Sequence, residues 1–210
     1  MMTNSEIAYW NDRFSVEEYV YGKEANEYFK QKLLMLTPGK ILLPAEGEGR
    51  NAVFAARSGW DVIAFDQSNA GKIKAESLAR ANGVKLDYRI ISMADAQFEN
   101  DSFDAIALIF AHFDDANRLQ YHQKLIQYLK PGGTLILEAF TKAHIQNQKE
   151  NSQAGGPKDI RLLYQIEDLK NDFPSLILEE YYDTEVTLSE GQHHLGKANV
   201  IRILGKKPTI

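Results

Sequence analysis

Apolar positions between residues 40 and 140 fall into short runs that are separated by longer mixed stretches. Runs of this length and composition are expected of strands that are covered on both faces of a sheet. They lie at residues 40–44, 62–65, 86–91, 103–110 and 134–140. We therefore predict five buried strands in this part of the chain.

The mixed stretches between these runs carry apolar residues at helical spacing. We predict helices at about residues 51–58, directly after Ser68, and at about residues 116–129. Ser68 has a side chain suited to cap its helix, and Leu119 falls on the apolar stripe of the third helix. Strands that alternate with helices predict an α/β fold with a parallel sheet and helices on both faces.

Beyond residue 140 the pattern changes. Residues 142–158 are polar and glycine-containing, so we predict a mobile loop there that acts as a lid. One more helix is predicted at 166–172, followed by long strands at 176–188 and 197–205. The turn 189–192 makes an antiparallel hairpin the simplest connection between those strands. The predicted sheet is thus doubly wound, mostly parallel and seven-stranded, with a C-terminal antiparallel hairpin.

The first 36 residues are rich in aromatic side chains and contain a predicted helix at 23–36, which a Thr-Pro-Gly sequence ends. We predict one domain overall. Within it, residues 1–36 form an N-terminal helical and aromatic segment that covers a bound cofactor. Residues 37–210 form the domain that binds the cofactor.

The composition excludes several classes of function. The chain has 210 residues and a formal net charge of −5, so we predict neither a nucleic acid nor a membrane as partner. It contains no cysteine, which removes disulfides, thiolate metal sites and cysteine nucleophiles. The histidines show no paired metal-ligand spacing, so we predict no metal. Because no secretory signal or membrane-spanning apolar run is visible, we predict a cytoplasmic protein.

A glycine-rich turn between the first strand and the next helix is the clearest chemical motif. Gly47 and Gly49 let a ligand approach the main chain, and the helix beginning near Asn51 presents free N–H groups. Asp66 ends the second strand, where a carboxylate holds both hydroxyls of a ribose. These features predict a ligand that contains adenosine. Gly47, Gly49 and Ala52 also satisfy the G-x-G-x-x-A pattern, so an NAD(P)-binding site stays open.

Several motifs occur in a fixed order along the chain. They are Gly47-Glu48-Gly49-Arg50-Asn51-Ala52, Gly59-Trp60-Asp61-Val62, Asp66-Gln67-Ser68, Asp95-Ala96, Phe103-Asp104, Leu129-Lys130-Pro131-Gly132-Gly133, and Tyr21-Gly22 with Asn26. Together they resemble the class I S-adenosylmethionine-dependent methyltransferases, and within them the small branch of tellurite-resistance and thiopurine methyltransferase-like proteins. The resemblance covers about residues 9–207. It implies a Rossmann-like methyltransferase fold with S-adenosylmethionine as cofactor, and it favours methyl transfer over hydride transfer.

The residues and the resemblance together predict the cofactor site. Its members are Arg13, Tyr21, Glu46, Gly47, Gly49, Asn51, Asp66, Gln67, Ser68, Asp95, Ala96 and Phe110. The resemblance implies that the two glycines line the methionine portion and that Asp66 holds the ribose. It places Gln67, Asp95 and Ala96 at the adenine, and Phe110 at the reactive sulfonium end.

The first motif departs from the family pattern. Leu43 stands where an acidic residue is usual, and Glu46 stands where a small residue or cysteine is usual; Pro44 removes a backbone donor nearby. We expect Glu46 to bond the ammonium group of the cofactor in place of the missing carboxylate. Arg13 and Arg50 are candidates for the cofactor carboxylate or an oxyanion substrate, with an ordinary salt bridge as the alternative for each.

Three histidines are candidates for substrate orientation or for a general base. His112 follows the fourth strand, and its alternative is a loop histidine that caps or packs. His193 and His194 follow the hairpin turn, and their alternative is a pair of exposed turn residues. His122 lies on the apolar face of its helix and is predicted to be structural.

The predicted reaction is methyl transfer to a small soft nucleophile, either a thiol or a selenium or tellurium species. Such a nucleophile needs alignment and an enclosed site more than a strong base. Two alternatives stay open at this point: an NAD(P)-dependent oxidoreductase, and a non-catalytic module that binds S-adenosylmethionine. The expected partner is a small-molecule methyl acceptor, and the sequence gives no oligomeric state.

Overall fold

The computed structural model describes residues 4–209, so residues 1–3 of the predicted segment 1–36 and residue 210 of the predicted domain 37–210 lie outside it. Within this range seven strands form one sheet. They are β1 (Lys40–Pro44), β2 (Asp61–Asp66), β3 (Asp87–Ile90), β4 (Phe103–Ile109), β5 (Leu129–Phe140), β6 (Ile177–Glu190) and β7 (His194–Lys206). Their order across the sheet is β3-β2-β1-β4-β5-β7-β6.

Strands β1 to β5 run parallel, and β7 lies antiparallel between β5 and β6. The prediction of a mostly parallel seven-stranded sheet with a C-terminal hairpin is therefore confirmed. β1 lies between β2 and β4, and Ile41, Leu42 and Leu43 are buried there. Because a central strand has no solvent-facing side, its sequence is a continuous apolar run and not an alternating one.

Helices cover both faces of the sheet, as predicted. They are α1 (Asn4–Phe14), α2 (Glu27–Leu33), α3 (Arg50–Arg57), α4 (Asn69–Ala81), α5 (Arg118–Tyr128), α6 (His144–Glu150) and α7 (Ile166–Asp172), with a 3-10 turn at Ile160–Leu162. One core packs the sheet against α5 and α7, and the other packs it against α2, α3 and α4. Of the helices in the described range, none has the length and apolar character needed to cross a membrane.

Side-chain caps fix where two helices begin. Oγ of Ser68 accepts a hydrogen bond from the N–H of Gly71 at 3.0 Å and caps α4, as predicted. Oδ1 of Asn26 accepts from the N–H of Phe29 at 2.9 Å and caps α2. Because Asn26 has a non-helical backbone, α2 begins at Glu27 and is shorter than the predicted helix 23–36.

The α5 helix differs from its prediction. Leu119 is 45% exposed and so does not lie on the buried face of α5, whereas His122 does lie on that face, as predicted. The helix ends at Tyr128 because Leu129 already pairs with Phe103 as the first residue of β5. The Pro-Gly-Gly sequence that follows therefore lies inside β5, where the prediction had a break between helix and strand.

Residues 142–158 are only in part the loop that their polar composition suggested, because residues 151–158 contain no helix or strand but residues 144–150 are helical. They contain α6, and His144 at its start is buried with its ring stacked on Phe140, at 4.2 Å between ring centroids. Nδ2 of Asn147 donates to Oδ1 of Asn199 on β7 at 2.6 Å. The prediction of a loop was wrong for residues 144–150, because polar side chains hold α6 in place and hydrophobic periodicity does not detect them.

Candidate active site

A cavity of about 790 Å³ opens above the carboxyl ends of the parallel strands. In open α/β sheets this edge is where ligands bind, and the volume is typical of a small-molecule site. Its walls come from the strand ends, the N-terminal segment, the residues after α6 and the hairpin turn. The predicted site residues that line it are Arg13, Tyr21, Glu46, Gly47, Asn51, Asp66, Gln67, Phe110, His112, His193 and His194.

The glycine turn is held in place by its neighbours. The N–H of Gly47 donates to Oδ2 of Asp66 at 3.1 Å, and the hydroxyl of Tyr88 donates to the carbonyl oxygen of Gly47 at 2.5 Å. Gly49 has a left-handed backbone with φ of 84°. A Cβ at Gly49 would lie 2.5 Å from that of Ala75 on α4. Glycine is therefore required at position 49 both by the backbone and by the packing.

The structure explains why the first motif lacks the usual acidic residue at position 43, and it shows an unusual backbone conformation at position 45. Leu43 is 1% exposed and belongs to the core beneath α2 and α3, where an acidic side chain would be buried without a partner. Ala45 has a φ of 53°, which is the left-handed region that favours glycine. The turn therefore keeps its shape at Ala45 against a backbone strain of about 1 kcal/mol.

Asp66 presents its carboxylate to the cavity. Oδ1 accepts from the N–H of Ser68 at 2.8 Å, while Oδ2 accepts from Gly47. Burial raises the pKa of Asp66, and the backbone donors of Ser68, Gly47 and Gln67 oppose that shift. Each carboxylate oxygen keeps capacity for a further hydrogen bond. The arrangement fits the two hydroxyls of a ribose.

Glu46 lies in the turn at the start of α3. Its Oε1 accepts from the N–H of Ala52 at 2.7 Å. Burial raises the pKa of Glu46 to about 7, although the Ala52 N–H and the Arg50 charge oppose the shift. A cation bound beside such a carboxyl favours its ionised form. Glu46 therefore fits the ammonium group that we expected it to bond.

Residues 91–94 form the wall beside Asp66, on the side expected for adenine. Asp95 and Ala96 do not line the cavity. The N–H of Ala96 donates to the carbonyl of Ser92 at 2.9 Å, so the chain turns away from the cavity after residue 94. Asp95 is exposed and accepts from Oγ of Ser92 at 2.6 Å, and Ala96 is fully buried. Two further predicted residues, Gly49 and Ser68, lie behind the wall, where they start α3 and α4.

The N-terminal segment covers the glycine turn. Phe14 packs over Gly47, where an added Cβ would lie 3.1 Å from its ring, and Trp10 stacks on Phe14 at 5.3 Å between centroids. Oδ1 of Asn11 accepts from Oγ of Ser68 at 3.1 Å and so joins α1 to α4. The sequence prediction missed Asn11, because nothing in the spacing of residues 11 and 68 indicates that they meet.

The predicted residues Arg13 and Tyr21 contact each other on this cover. Nε of Arg13 donates to the hydroxyl oxygen of Tyr21 at 3.2 Å, and both side chains line the cavity. Burial raises the pKa of Tyr21, and the neighbouring Arg13 charge opposes the shift. The guanidinium of Arg13 is therefore partly occupied by aromatic hydroxyls, including that of Tyr9 at 3.2 Å.

His112 has both ring nitrogens engaged by the main chain. Nδ1 lies 2.6 Å from the carbonyl oxygen of Leu162, and Nε2 accepts from the N–H of Phe140 at 3.3 Å. Burial lowers the pKa of His112 to about 3. A neutral ring with its proton on Nδ1 satisfies both contacts. This geometry corresponds to the alternative of a packing histidine, because neither nitrogen is available for a substrate.

The two turn histidines differ from each other. His193 is partly exposed at the rim of the cavity, whereas His194 is 4% exposed. The ring of His194 lies between Tyr21, at 4.4 Å, and Phe110, at 4.6 Å, measured between centroids. Nδ1 of His194 lies 3.1 Å from Oε2 of Glu190, which the sequence prediction did not include. His194 is thus not an exposed turn residue.

Glu190 is the centre of a buried polar network. Its Oε2 also accepts from a guanidinium nitrogen of Arg50 at 2.8 Å, and its Oε1 accepts from Nδ2 of Asn26 at 3.0 Å. The charge of Arg50 holds the pKa of Glu190 at about 2 against the effect of burial. Arg50 therefore forms the salt bridge that was its alternative role. Nδ2 of Asn26 also donates to the buried Glu138, at 2.7 Å.

The hairpin turn contacts the N-terminal segment through glycine. The N–H of Gln192 donates to the carbonyl of Val20 at 3.1 Å. A Cβ on Gly191 would lie 2.4 Å from that carbonyl oxygen and 2.5 Å from the nitrogen of Gly22. A Cβ on Gly155, after α6, would lie 1.9 Å from the carbonyl oxygen of His193. Three distant segments therefore meet over the cavity at backbone distance.

His122, predicted to be structural, lies outside the cavity. It is fully buried, and its Nδ1 lies 2.8 Å from Oδ2 of Asp172 on α7. Nε of Arg118 donates to the same oxygen at 2.7 Å. The cluster joins α5 to α7 and lies behind the wall of the site.

Part of the chain matches a known family. Residues 41–133 match the family model described as a methyltransferase domain. A demethylmenaquinone methyltransferase from Clavibacter sepedonicus is 28% identical over 102 residues, which are 49% of this chain and 41% of that protein. The match therefore spans less than half the length of this curated relative.

Solved structures share the fold over most of the chain. A protein described by the conversion of a disulfide bond into a thioacetal group during echinomycin biosynthesis has a TM-score of 0.78 and 17% identity, covering 99% of this chain and 92% of that one. A methyltransferase from Methanosarcina mazei has a TM-score of 0.70 and 16% identity, covering 89% and 100%. TehB from Haemophilus influenzae has a TM-score of 0.71 and 15% identity, covering 87% and 62%. At sequence identities of 15–17% this similarity shows a shared fold only.

Residues 41–133 thus match a methyltransferase domain, and the sheet has the same Rossmann-like fold as the solved methyltransferase structures to which it is similar. The polar groups of the turn fit S-adenosylmethionine, since Asp66 could accept from the hydroxyls of a ribose and Glu46 could bond an ammonium group.

Proposed function

We propose that this protein transfers the methyl group of S-adenosylmethionine to a small soft nucleophile, either a thiol or a selenium or tellurium species. The observation that carries the proposal is the composition of the cavity beyond Phe110. There the wall includes the rings of Phe140 and His194, which contact Phe110, and Tyr21, Phe113 and the neutral imidazole of His112 also line the cavity. Polarizable sulfur packs favourably against aromatic rings.

Each part of the cavity has a separate role in the proposed reaction. Asp66 holds the ribose, Glu46 holds the ammonium group, and Phe110 faces the reacting end of the cofactor. When bound, S-adenosylmethionine supplies a methyl group on a positively charged sulfur. The protein aligns the acceptor with that methyl group and excludes water, which are the main contributions to such a displacement.

The N-terminal segment, residues 1–36, serves in this proposal as the cover of the cofactor. Trp10, Arg13 and Phe14 on α1 line the cavity above the glycine turn. Closing the site from this side leaves the region around Phe110 and His194 for the acceptor. The description of one solved structure of the same fold is consistent with a soft acceptor, since it concerns a disulfide bond and a thioacetal group.

A panel assay tests the proposal. Labelled S-adenosylmethionine is incubated with the protein and with small thiols, selenite or tellurite, and labelled product is measured. We expect methylated product from at least one of these acceptors and none from alcohols of the same size.

Two other outcomes would contradict the proposal. Binding of S-adenosylmethionine in calorimetry without product from any acceptor would favour the non-catalytic module. Binding of a nicotinamide cofactor in place of S-adenosylmethionine would favour the oxidoreductase.

A further inference from the structure

His194 and Glu190 form a pair at the wall of the cavity. Nδ1 of His194 faces Oε2 of Glu190 at 3.1 Å. Nε2 of His194 makes no hydrogen bond with any residue between 4 and 209, while the ring itself lines the cavity. A neutral histidine that donates from Nδ1 has an acceptor lone pair on Nε2. The free nitrogen is therefore the one that can accept a proton from a bound molecule.

Glu190 is kept ionised and immobile by residues from two other elements. Arg50 on α3 and Asn26 at the start of α2 each bond one of its oxygens, at 2.8 and 3.0 Å. A carboxylate on Nδ1–H fixes the tautomer and orientation of an imidazole and stabilises its protonated form. Glu190 therefore meets the requirements of a group that orients a proton acceptor.

Resting on the function proposed above, we propose that the acceptor is a protonated thiol, that Nε2 of His194 accepts its proton, and that Glu190 is the positioning residue. In the reaction the acceptor sulfur forms a bond to the methyl carbon. The bond between that carbon and the cofactor sulfur breaks, and its electron pair stays on the cofactor sulfur. The S–H bond of the acceptor breaks as well, and its proton passes to Nε2, from which water later removes it.

The protonation state of His194 suits this step. The groups that face the ring are Glu190 on β6, Arg50 on α3, Tyr21 in the N-terminal segment and, farther away, His144 on α6. Burial lowers the pKa of His194 to about 4, and Glu190 opposes that shift. The ring is thus neutral at pH 7. A base this weak takes the proton only as the new S–CH3 bond forms, because the acceptor sulfur then becomes positive and its S–H strongly acidic.

A pH profile distinguishes this step from attack by a preformed thiolate. Without a base, kcat/KM for a thiol with a pKa of about 8.5 falls tenfold per pH unit below that value. With His194 as proton acceptor, we expect kcat/KM for 2-mercaptoethanol, or for the panel thiol that reacts fastest, to stay level between pH 5 and 7.

Variants at the pair sharpen the test. We expect His194→Gln to lose about 100-fold in kcat/KM at pH 6, and to lose progressively less as the pH rises toward 9. The loss should lie in kcat more than in KM. A selenol acceptor, which ionises more readily, should be affected much less. Glu190→Gln should show a smaller loss of the same kind. Glu185→Gln, an exposed residue of β6 paired with Lys197, is the matched control and should keep the wild-type profile.

A measurement without cofactor, made on the wild-type protein and on Glu190→Gln, tests the pair independently of activity. Long-range 15N–1H correlation spectra distinguish a protonated from an unprotonated ring nitrogen. We expect His194 to carry its proton on Nδ1 at pH 7, and Glu190→Gln to change that signature. A proton on Nε2 would overturn the proposal.

The kinetic outcomes separate the two proposals. A level wild-type profile that persists in His194→Gln, or that is lost in His193→Gln instead, would overturn the role of His194 while leaving methyl transfer intact. Absence of product from every acceptor, with S-adenosylmethionine still bound, would overturn the proposed function itself.

Discussion

The cofactor side and the acceptor side of the cavity are assembled from the chain in different ways. The cofactor side consists of the turn at residues 45–48, Asp66 and residues 91–94, all from the consecutive strand–helix units of β1 to β3. The acceptor side consists of Phe110, residues 155–159 and the turn histidines, and its hairpin turn contacts residues 20–22 of the N-terminal segment. One side is local in sequence, and the other joins the two ends of the chain.

The two sides also use different chemistry. On the cofactor side, carboxylates that accept from backbone N–H groups line the cavity, and glycine or left-handed backbone shapes the turn. On the acceptor side, aromatic rings and the imidazole of His194, whose Nδ1 faces Glu190, form part of the wall. The residues that bind a widely used cofactor can thus lie within one short motif. The choice of acceptor then depends on how distant segments meet.

The largest effect on stability is expected from a substitution at Gly191, where the hairpin turn contacts the N-terminal segment on the acceptor side. Gly191→Ala adds a Cβ that lies 2.4 Å from the carbonyl oxygen of Val20, at a φ of 60°. We expect the free energy of unfolding to fall by about 3 kcal/mol in a urea titration. Gly83→Ala is the matched control, because its φ is 69° but no atom lies within 4 Å of the added Cβ. It should lose about 1 kcal/mol, and equal losses in the two variants would contradict the importance of this contact.

On the cofactor side the largest effect is expected at Asp66. Asp66→Ala removes the carboxylate and leaves the N–H groups of Gly47 and Ser68 without their acceptor. We expect calorimetry to show S-adenosylmethionine and its demethylated product both binding about 30-fold more weakly, corresponding to about 2 kcal/mol. Asp61→Ala, at the exposed start of the same strand, should bind normally. Unchanged affinity in Asp66→Ala would refute the ribose contact.

Glu46 should make the affinity for S-adenosylmethionine depend on pH. Its pKa of about 7 means that the carboxyl is mostly neutral at pH 6 and half ionised at pH 7. A bound ammonium group favours the ionised form, so affinity for S-adenosylmethionine should rise about fivefold from pH 6 to 7, with release of a proton. Calorimetry in buffers of different ionisation enthalpy measures both quantities. Glu46→Gln should bind with little change over this range, and a persisting slope would assign it to another group.

The smallest effect is expected at Ala45, where the turn is strained. Its φ of 53° is easily adopted by glycine. Ala45→Gly should raise the free energy of unfolding by about 0.5 kcal/mol, because relief of the left-handed backbone outweighs the added flexibility of the unfolded chain. Urea titration checks the sign. A destabilised Ala45→Gly would mean that the side chain contributes packing that its exposure does not suggest.

The order of strands and helices followed from the sequence because buried parallel strands must be apolar and the helices between them amphipathic. The same principle failed for α6, which polar contacts such as that between Asn147 and Asn199 hold in place. It also placed Leu119 on the buried face of α5, where Leu119 is in fact exposed, and it gave no sign that the buried His122 pairs with Asp172 on another helix. Periodicity detects burial of apolar groups and not the pairing of polar ones.

Within the site, the sequence indicated the glycine turn and Asp66, because a ligand-binding turn is encoded in a few adjacent residues. It did not indicate that the chain turns away at Asp95, since that depends on the local path after β3. It could not single out Glu190, which bonds Asn26 across 164 positions of the chain. A contact between residues so far apart along the chain cannot be recognised from the spacing of residues in the sequence.

The sequence by itself determined the class of fold and the glycine turn with Asp66 at the edge of the sheet. Only the tertiary structure decided between the histidines. His112 and His194 both follow a strand end, yet backbone groups engage both nitrogens of His112, whereas Glu190 engages one nitrogen of His194. The availability of a ring nitrogen depends on which distant groups surround it, and folding alone brings those groups together.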